Sequence, residues 1–173
     1  IIITVMVLEL KVPHGDDLRA LAPMCPVFLG YIVSFLYVAI YWNNHHHLLH
    51  TLKTVTPRVM WSNMLLLFWL SLFPFVTSWC GENPRASWPA ALYGFVLFAA
   101  GLSWLVLQNA IIAGGGVLAK AIGADLKGKL SLVLYASGMV VAFASALAAE
   151  AVFALVALIW IVPDPRIEKV TRE

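Results

Sequence analysis

Four histidines and two asparagines fall close together in this chain of 173 residues, in the segment Asn43-Asn44-His45-His46-His47-Leu48-Leu49-His50. On a helix, His46 and His50 share one face, and Asn43 and His47 share another. Neutral imidazoles ligate zinc and haem iron, so one hypothesis is a membrane redox or metal-binding protein that uses His45, His46, His47 and His50. We call residues 43–50 the histidine cluster.

The same cluster has two other interpretations. A haem between helices needs partner histidines at matching depth on another helix, and the remaining histidine, His14, falls in a predicted loop. Asn and His side chains also form hydrogen bonds between apolar helices, where their polar atoms would otherwise lack partners. Asn63, near the start of the next apolar segment, could meet the cluster across a short turn. Within the channel class, the histidines could instead serve proton conduction.

An apolar stripe runs along the first ten residues. Helical spacing places Ile1, Val5 and Leu8 on one stripe, with Thr4 beside it. Repeated by symmetry around an axis, such a stripe would form stacked apolar rings that close a pore by dewetting. Ordinary packing or lipid contact is the alternative. Glu9 could form a ring of carboxylates at an outer pore mouth, or it could simply be a solvated group at a helix end.

Several kinds of chemistry have no matching pattern. No nucleophile stands beside a suitable base and no pair of carboxylates falls inside an apolar segment, so we predict a protein that is not an enzyme and carries no cofactor or metal. A Thr-Val-Gly-Tyr-Gly potassium filter is missing as well. The formal charge of +2 is too weak to indicate nucleic acid as a partner. Cys25 and Cys80 could form a disulfide or remain free thiols.

The elements that must position these residues are apolar helices. The hydrophobic set makes up 62% of the chain and charged residues 12%, whereas soluble proteins carry about 25% charged residues. Lipid is therefore the solvent, and we predict an all-α polytopic membrane protein with one six-helix domain over residues 1–173. We expect the first helix to begin upstream of Ile1. The apolar segments are residues 1–10, 23–49, 59–79, 88–113, 130–148 and 151–162, with the last turn around Glu150.

Basic residues predict the orientation, because Lys and Arg are retained in cytoplasmic loops. With six spans and an inside N-terminus, eight of the basic residues are cytoplasmic and three are external. The cytoplasmic set is Lys53, Arg58, Lys120, Lys127, Lys129, Arg166, Lys169 and Arg172, and the external set is Lys11, Arg19 and Arg85. Both termini are therefore predicted to be cytoplasmic.

Taken together, three stretches resemble the bacterial transmembrane-protein-175 potassium channels, and the similarity extends over nearly the whole chain. They are Ile-Thr-Val-Met-Val-Leu-Glu-Leu-Lys-Val-Pro, then Tyr41-Trp42-Asn43-Asn44-His45-His46, then Trp61-Ser62-Asn63 with a Leu-rich run to Pro74-Phe75. The Trp-Asn-Asn-His-His run is the most specific of them. The resemblance implies a weakly selective potassium channel in the cell membrane, with K⁺ as the permeant ion.

The resemblance also implies how such a channel is built. Six helices per subunit would assemble into a homotetramer whose four first helices line one central pore, without a separate filter loop. Ile1 would form the narrowest ring of a hydrophobic gate, Val5 and Leu8 would lie above it, and Thr4 would offer hydroxyls near the ion path. The family's Phe-Ser-Asp motif is expected just before Ile1. A polar interhelical network would include Trp42, Asn43, His45, His46 and Asn63.

Overall fold

The computed structural model describes residues 1–13, 16–50, 52, 54–114 and 125–161, and within them the only regular secondary structure is helical. Several sequence-based expectations fall on other residues and lie outside the described ones. They are the loop position of His14, the end of the last span at residue 162, and the placement of Lys53, Lys120, Arg166, Lys169 and Arg172.

Seven α-helices and one 3₁₀ helix form the described structure. In chain order they are α1 (Ile2–Leu8), a 3₁₀ helix (Leu18–Met24), α2 (Cys25–His50), α3 (Pro57–Ser71), α4 (Phe73–Glu82), α5 (Ser87–Ala113), α6 (Leu126–Val141) and α7 (Ala146–Ile161). Since α3 and α4 follow one another directly, we count them as one segment, and the described structure then has a helix for each of the six predicted apolar segments. The all-helical, six-span prediction is confirmed.

Local sequence signals account for where these helices begin and bend. Thr56 caps α3 by accepting a hydrogen bond from the backbone N–H of Val59, and Pro57 occupies the first turn, where it costs no helical hydrogen bond. The bend between α3 and α4 falls at Leu72, next to Pro74, because proline cannot donate to the preceding turn. Asp125 caps α6 by accepting from the N–H of Gly128 at 2.9 Å.

The predicted turn around Glu150 is wrong. The chain turns at residues 142–145 instead, and Glu150 lies inside α7. The apolar residues continue through this turn, so hydropathy gives no boundary there. Ser145 marks the true start, because its hydroxyl accepts a hydrogen bond from the N–H of Ala148 at 3.3 Å and thereby caps α7.

Three helical stretches of the described residues are long and apolar enough to cross a membrane by themselves. They are the 3₁₀ helix with α2 (Leu18–His50), α3 with α4 (Pro57–Glu82) and α5 (Ser87–Ala113), and α7 is a shorter apolar helix. The central helix, α5, packs against α3, α4, α6 and α7 and is largely buried. Large apolar side chains such as Trp61 and Phe68 of α3 are exposed on the outside of the bundle. An apolar exterior around a packed interior is typical of a protein surrounded by lipid.

Two side-chain contacts show which helix ends lie together. Lys11, just after α1, pairs with Glu82 at the end of α4, and Trp88 near the start of α5 contacts Phe143 after α6, with ring centroids 5.2 Å apart. We call this end of the bundle the Glu82 end. The opposite end, where α2 ends and α3 begins, is the His50 end.

The core is tightest where an aromatic ring meets two glycines. Phe153 of α7 is completely buried. A Cβ atom added to Gly94 of α5 would come within 2.5 Å of its ring, and one added to Gly138 of α6 would come within 2.3 Å. Contacts this short would force the Phe153 ring to move if either position carried a side chain, so these glycines allow α5, α6 and α7 to approach closely.

Candidate functional site

The first helix is attached to the bundle along one side only. It packs on α2 and α4, with Met6 buried and with Ile2 and Ile3 packed against the core. Met6 lines a small pocket together with Val27 of α2 and Pro74 of α4. The side of α1 that carries Met6 therefore anchors this helix to the rest of the subunit.

The opposite side of α1 is exposed, and it carries the four residues of the predicted stripe. Ile1 is fully exposed, Leu8 is 81% exposed and Val5 is 41% exposed, and Thr4 is exposed beside them. The Thr4 hydroxyl donates to the backbone carbonyl of Ile1 at 2.6 Å, so its proton is directed along the helix. We call these four residues the open face of α1.

Polar contacts hold the end of α1 at the Glu82 end. The Lys11 ammonium donates to the Glu82 carboxylate, and the Ser78 hydroxyl lies 3.5 Å from a carboxylate oxygen of Glu9. The hydrogen bond and the charge of Glu82 raise the pKa of Lys11 above its usual 10.5. Both partners are exposed to solvent, so this ion pair positions the chain more than it stabilises the fold.

In the histidine cluster, one residue contacts the next span. The Nε2 atom of His45 lies 2.6 Å from the Oδ1 atom of Asn63, and this contact joins α2 to α3 at the His50 end. An amide oxygen can only accept, so Nε2 carries the proton and donates it. Both side chains are half-buried. This arrangement pairs two polar groups between two apolar helices.

The other predicted members of the network lie elsewhere. Trp42 and His46 are both exposed and stack on one another along α2, with ring centroids 5.9 Å apart. Next to them, the Nε2 atoms of His46 and His50 are 3.1 Å apart. Within the described residues, no side-chain hydrogen bond joins Trp42, Asn43 or His46 to Asn63. In the described structure, a side-chain hydrogen bond between helices therefore joins only two of these five residues, His45 and Asn63.

Metal ligation has little geometric basis in the described part of the chain. Within it, no group of three or more His, Cys, Asp or Glu side chains is placed to hold a metal ion. The two cysteines are free thiols, Cys25 exposed and Cys80 buried. They therefore form no disulfide in this structure.

Reasoning from the sequence missed a buried cluster of hydroxyls. Ser34 of α2 accepts a hydrogen bond from Thr77 of α4 at 2.6 Å and lies 2.8 Å from the hydroxyl of Tyr93 in α5. All three side chains are buried. Ser34 and Tyr93 are isolated polar residues in apolar runs, and Thr77 stands beside Ser78 in another apolar run, which was the available signal. The triad ties three spans together inside the bundle. At another buried position, the Oε1 atom of Gln108 in α5 has no partner among the described residues.

Known proteins similar to this chain are potassium channels. The family model for the endosomal/lysosomal potassium channel TMEM175 matches residues 1–74. A potassium channel of Chryseobacterium sp. is 47% identical, with 100% of this chain and 92% of that protein aligned. A potassium channel of Streptomyces collinus is 34% identical, over 62% of this chain and 56% of that protein.

The fold has a counterpart among solved structures. The crystal structure of a lysosomal potassium-selective channel TMEM175 homologue from Chamaesiphon minutus superposes with a TM-score of 0.78, at 22% identity, over 92% of this chain and 88% of that chain. The family model spans α1, α2 and α3, which carry the open face and the His45–Asn63 contact. With the Chryseobacterium protein similar along its whole length, this chain belongs to the TMEM175 family of potassium channels.

Proposed function

We propose that this chain is one subunit of a potassium-permeable cation channel, in which copies of α1 surround a central pore. The relatives named above are potassium channels, and the chain carries the apolar spans of a membrane protein. Conduction through such a pore is passive and makes or breaks no covalent bond. Neither these relatives nor the described structure supplies an observation that favours the metal-binding or redox alternative.

The open face of α1 is the single observation that carries this proposal. Ile1, Val5 and Leu8 form an apolar row that no other helix covers among the described residues, although the opposite side of the same helix is packed. A lipid-facing helix would also show such a row. Family membership favours the pore, because α1 lies in the part of the chain that the TMEM175 family model matches.

One helix cannot enclose a pore, so several subunits must contribute their first helices. We propose a homotetramer, as the resemblance to bacterial channels of this family implies. Closed rotational symmetry places the same side chain of each copy at the same depth. Ile1, Val5 and Leu8 then become three stacked rings, and the hydroxyl oxygens of Thr4 lie between the first two.

Selectivity in this arrangement follows from the cost of removing water. An apolar ring narrower than a hydrated ion forces the ion to shed part of its shell, and a dry ring is a barrier by itself. Potassium holds its water less tightly than sodium and passes more readily. This mechanism gives weak selectivity and makes the narrowest ring, assigned to Ile1, a hydrophobic gate.

We place the channel in the cell membrane with both termini in the cytoplasm. The described basic residues at the His50 end are Arg58, Lys127 and Lys129, and those at the Glu82 end are Lys11, Arg19 and Arg85. The described residues alone are therefore balanced. The cytoplasmic assignment of the His50 end depends on the additional basic residues of the full sequence.

Potassium flux from liposomes that contain the full-length protein tests the pore assignment. Two valines of α1 give a matched pair, because Val5 is 41% and Val7 is 47% exposed, yet they lie about 200° apart around the helix. We expect Val5→Asn to hydrate its ring and raise flux about tenfold, which corresponds to lowering the barrier by about 1.4 kcal/mol. Val7→Asn should leave flux within about twofold of wild type.

The potassium fluxes of wild type and of the two variants test different parts of the proposal. Equal effects of the two substitutions would mean that Val5 has no special relation to the ion path, and the open face would then be a packing or lipid-facing surface. Failure of the wild-type protein to pass potassium would remove the channel proposal altogether. The subunit count of the same preparation, measured by mass spectrometry, tests the tetramer independently.

A further inference from the structure

A large cavity opens at the Glu82 end, and none of its lining residues belongs to α1. Its volume is about 530 Å³, and it lies between α2, α4, α5 and α7. Most of its wall is apolar, with Leu29, Val33, Leu147 and Ala151 among the lining residues. This volume is within the range of about 300–1,000 Å³ that is usual for small-molecule sites.

Two opposite charges line this cavity. Arg85, in the connection between α4 and α5, is exposed to solvent, and Glu150 of α7 is half-buried. Within the described residues, no ion pair and no hydrogen bond satisfies either side chain. A half-buried carboxylate without a partner is costly, because burial removes part of its hydration. The cavity therefore offers one anionic and one cationic group that a ligand could pair.

The polar groups deeper in the cavity are already paired. Thr77 and Tyr93 both line it, but the hydroxyl of Thr77 donates to Ser34 and that of Tyr93 lies 2.8 Å from Ser34. The rest of the inner cavity wall is mainly apolar. A suitable ligand is thus apolar at one end and carries both charges at the other.

We propose that this cavity binds one phosphatidylethanolamine molecule from the surrounding membrane. Its phosphate pairs with the Arg85 guanidinium, which matches phosphate oxygens bidentately. Its ammonium donates hydrogen bonds to the Glu150 carboxylate, and charge-assisted bonds of this kind are the stronger class. Part of one acyl chain fills the apolar depth. This assignment is independent of ion conduction and does not rest on the proposed function.

Native mass spectrometry of the full-length protein tests the lipid assignment. The protein is transferred from vesicles of equimolar phosphatidylethanolamine, phosphatidylcholine and phosphatidylglycerol, and the lipids that remain bound are counted. We expect wild type to retain phosphatidylethanolamine about fivefold over either of the other two. Phosphatidylglycerol lacks the cation, and the quaternary amine of phosphatidylcholine has no N–H to donate.

Two variants inside the cavity and one control outside it link that preference to the cavity. Glu150→Gln replaces the carboxylate with a neutral amide and should reduce the preference for phosphatidylethanolamine over phosphatidylcholine, because the charge-assisted hydrogen bond is lost. Glu9→Gln, a matched change at the same end but outside the cavity, should leave the preference intact. Gly30→Leu fills the cavity and should abolish retention of all three lipids. A Cβ atom at Gly30 would meet only Thr77, at 4.0 Å, so the backbone tolerates this change.

Three results would overturn the proposal. They are equal retention of the three lipids by wild type, an unchanged preference in Glu150→Gln, and a cavity occupied by detergent or by a neighbouring subunit in place of lipid. Circular dichroism and gel filtration check that each variant is folded. If Gly30→Leu does not fold, the comparison of Glu150→Gln with Glu9→Gln decides by itself.

Discussion

The hydrogen bond between His45 and Asn63 should stabilise the packing of α2 on α3, and a double-mutant cycle measures by how much. The perturbations are His45→Leu, Asn63→Leu and the two combined, each of which removes polar atoms at the 2.6 Å contact. Each single substitution also leaves the other partner unpaired, whereas the double variant leaves neither. The cycle therefore isolates the interaction between the two side chains.

The structure sets the expected size of that coupling energy. Hydrogen bonds in proteins contribute about 0.5–1.5 kcal/mol net, and those between membrane helices average about 0.6 kcal/mol with a maximum of about 1.7. Both side chains here are half-buried, so water compensates part of the loss when one partner is removed. The contact is also short and joins a ring N–H to an amide oxygen. We expect a coupling energy of about 1 kcal/mol per subunit.

Equilibrium unfolding in mixed micelles, followed by helical circular dichroism, gives the four free energies of unfolding. Asn43→Leu is the control, because no hydrogen bond joins Asn43 to Asn63 in the described residues, and its combination with Asn63→Leu should be additive. If His45→Leu and Asn63→Leu are additive as well, to within about 0.3 kcal/mol, the contact does not couple the two helices. The reasoning from its geometry would then be refuted.

Three further predictions concern the core and the Glu82 end. Gly138→Ala should lower the free energy of unfolding by about 1–3 kcal/mol through overpacking, because the added methyl group collides with the Phe153 ring. The loss should be smaller when Phe153 is replaced by Leu. Chemical denaturation measures both losses, and equal losses would contradict this explanation. Tyr37→Phe removes the 2.5 Å hydrogen bond to the carbonyl of Phe153 and should lower the free energy of unfolding by about 1 kcal/mol in the same assay. An unchanged free energy of unfolding would mean that this hydrogen bond does not stabilise the fold. Glu82→Gln should lower the pKa of Lys11, because the negative charge of Glu82 favours the protonated ammonium and holds this pKa above 10.5. NMR titration of the Lys11 side chain measures the change, and an unchanged pKa would contradict it. In wild type the ion pair should persist while Glu82 is ionised and be lost at high pH as the pH rises through the raised pKa of Lys11.

The structure also explains which parts of the candidate site the sequence could predict. Helical periodicity predicts that Ile1, Thr4, Val5 and Leu8 lie on one side of α1, whereas their exposure depends on which side of α1 packs against α2 and α4. The polar network does not follow in the same way. Adjacent residues on a helix point about 100° apart, and because His45 faces Asn63, His46 is turned outward to stack on Trp42.

The ends of the spans show a similar division. Thr56 before Pro57 and the proline at position 74 are local signals, and the helices begin and bend beside them. The last turn escaped prediction because residues 141–144 are apolar and hydropathy has no minimum there. Its only mark is the cap at Ser145.

By itself the sequence determined that lipid surrounds the chain, that the fold is all-helical, how many apolar segments it has, that α1 carries an apolar row, and that the chain belongs to the TMEM175 family. These depend on composition, on local periodicity and on short motifs, which require no knowledge of distant contacts. The tertiary structure alone decided that the Ser34, Thr77 and Tyr93 hydroxyls meet, that Phe153 fits against two glycines, and that Arg85 and Glu150 line one cavity. Their partners lie on different spans, and packing sets which faces of those spans meet.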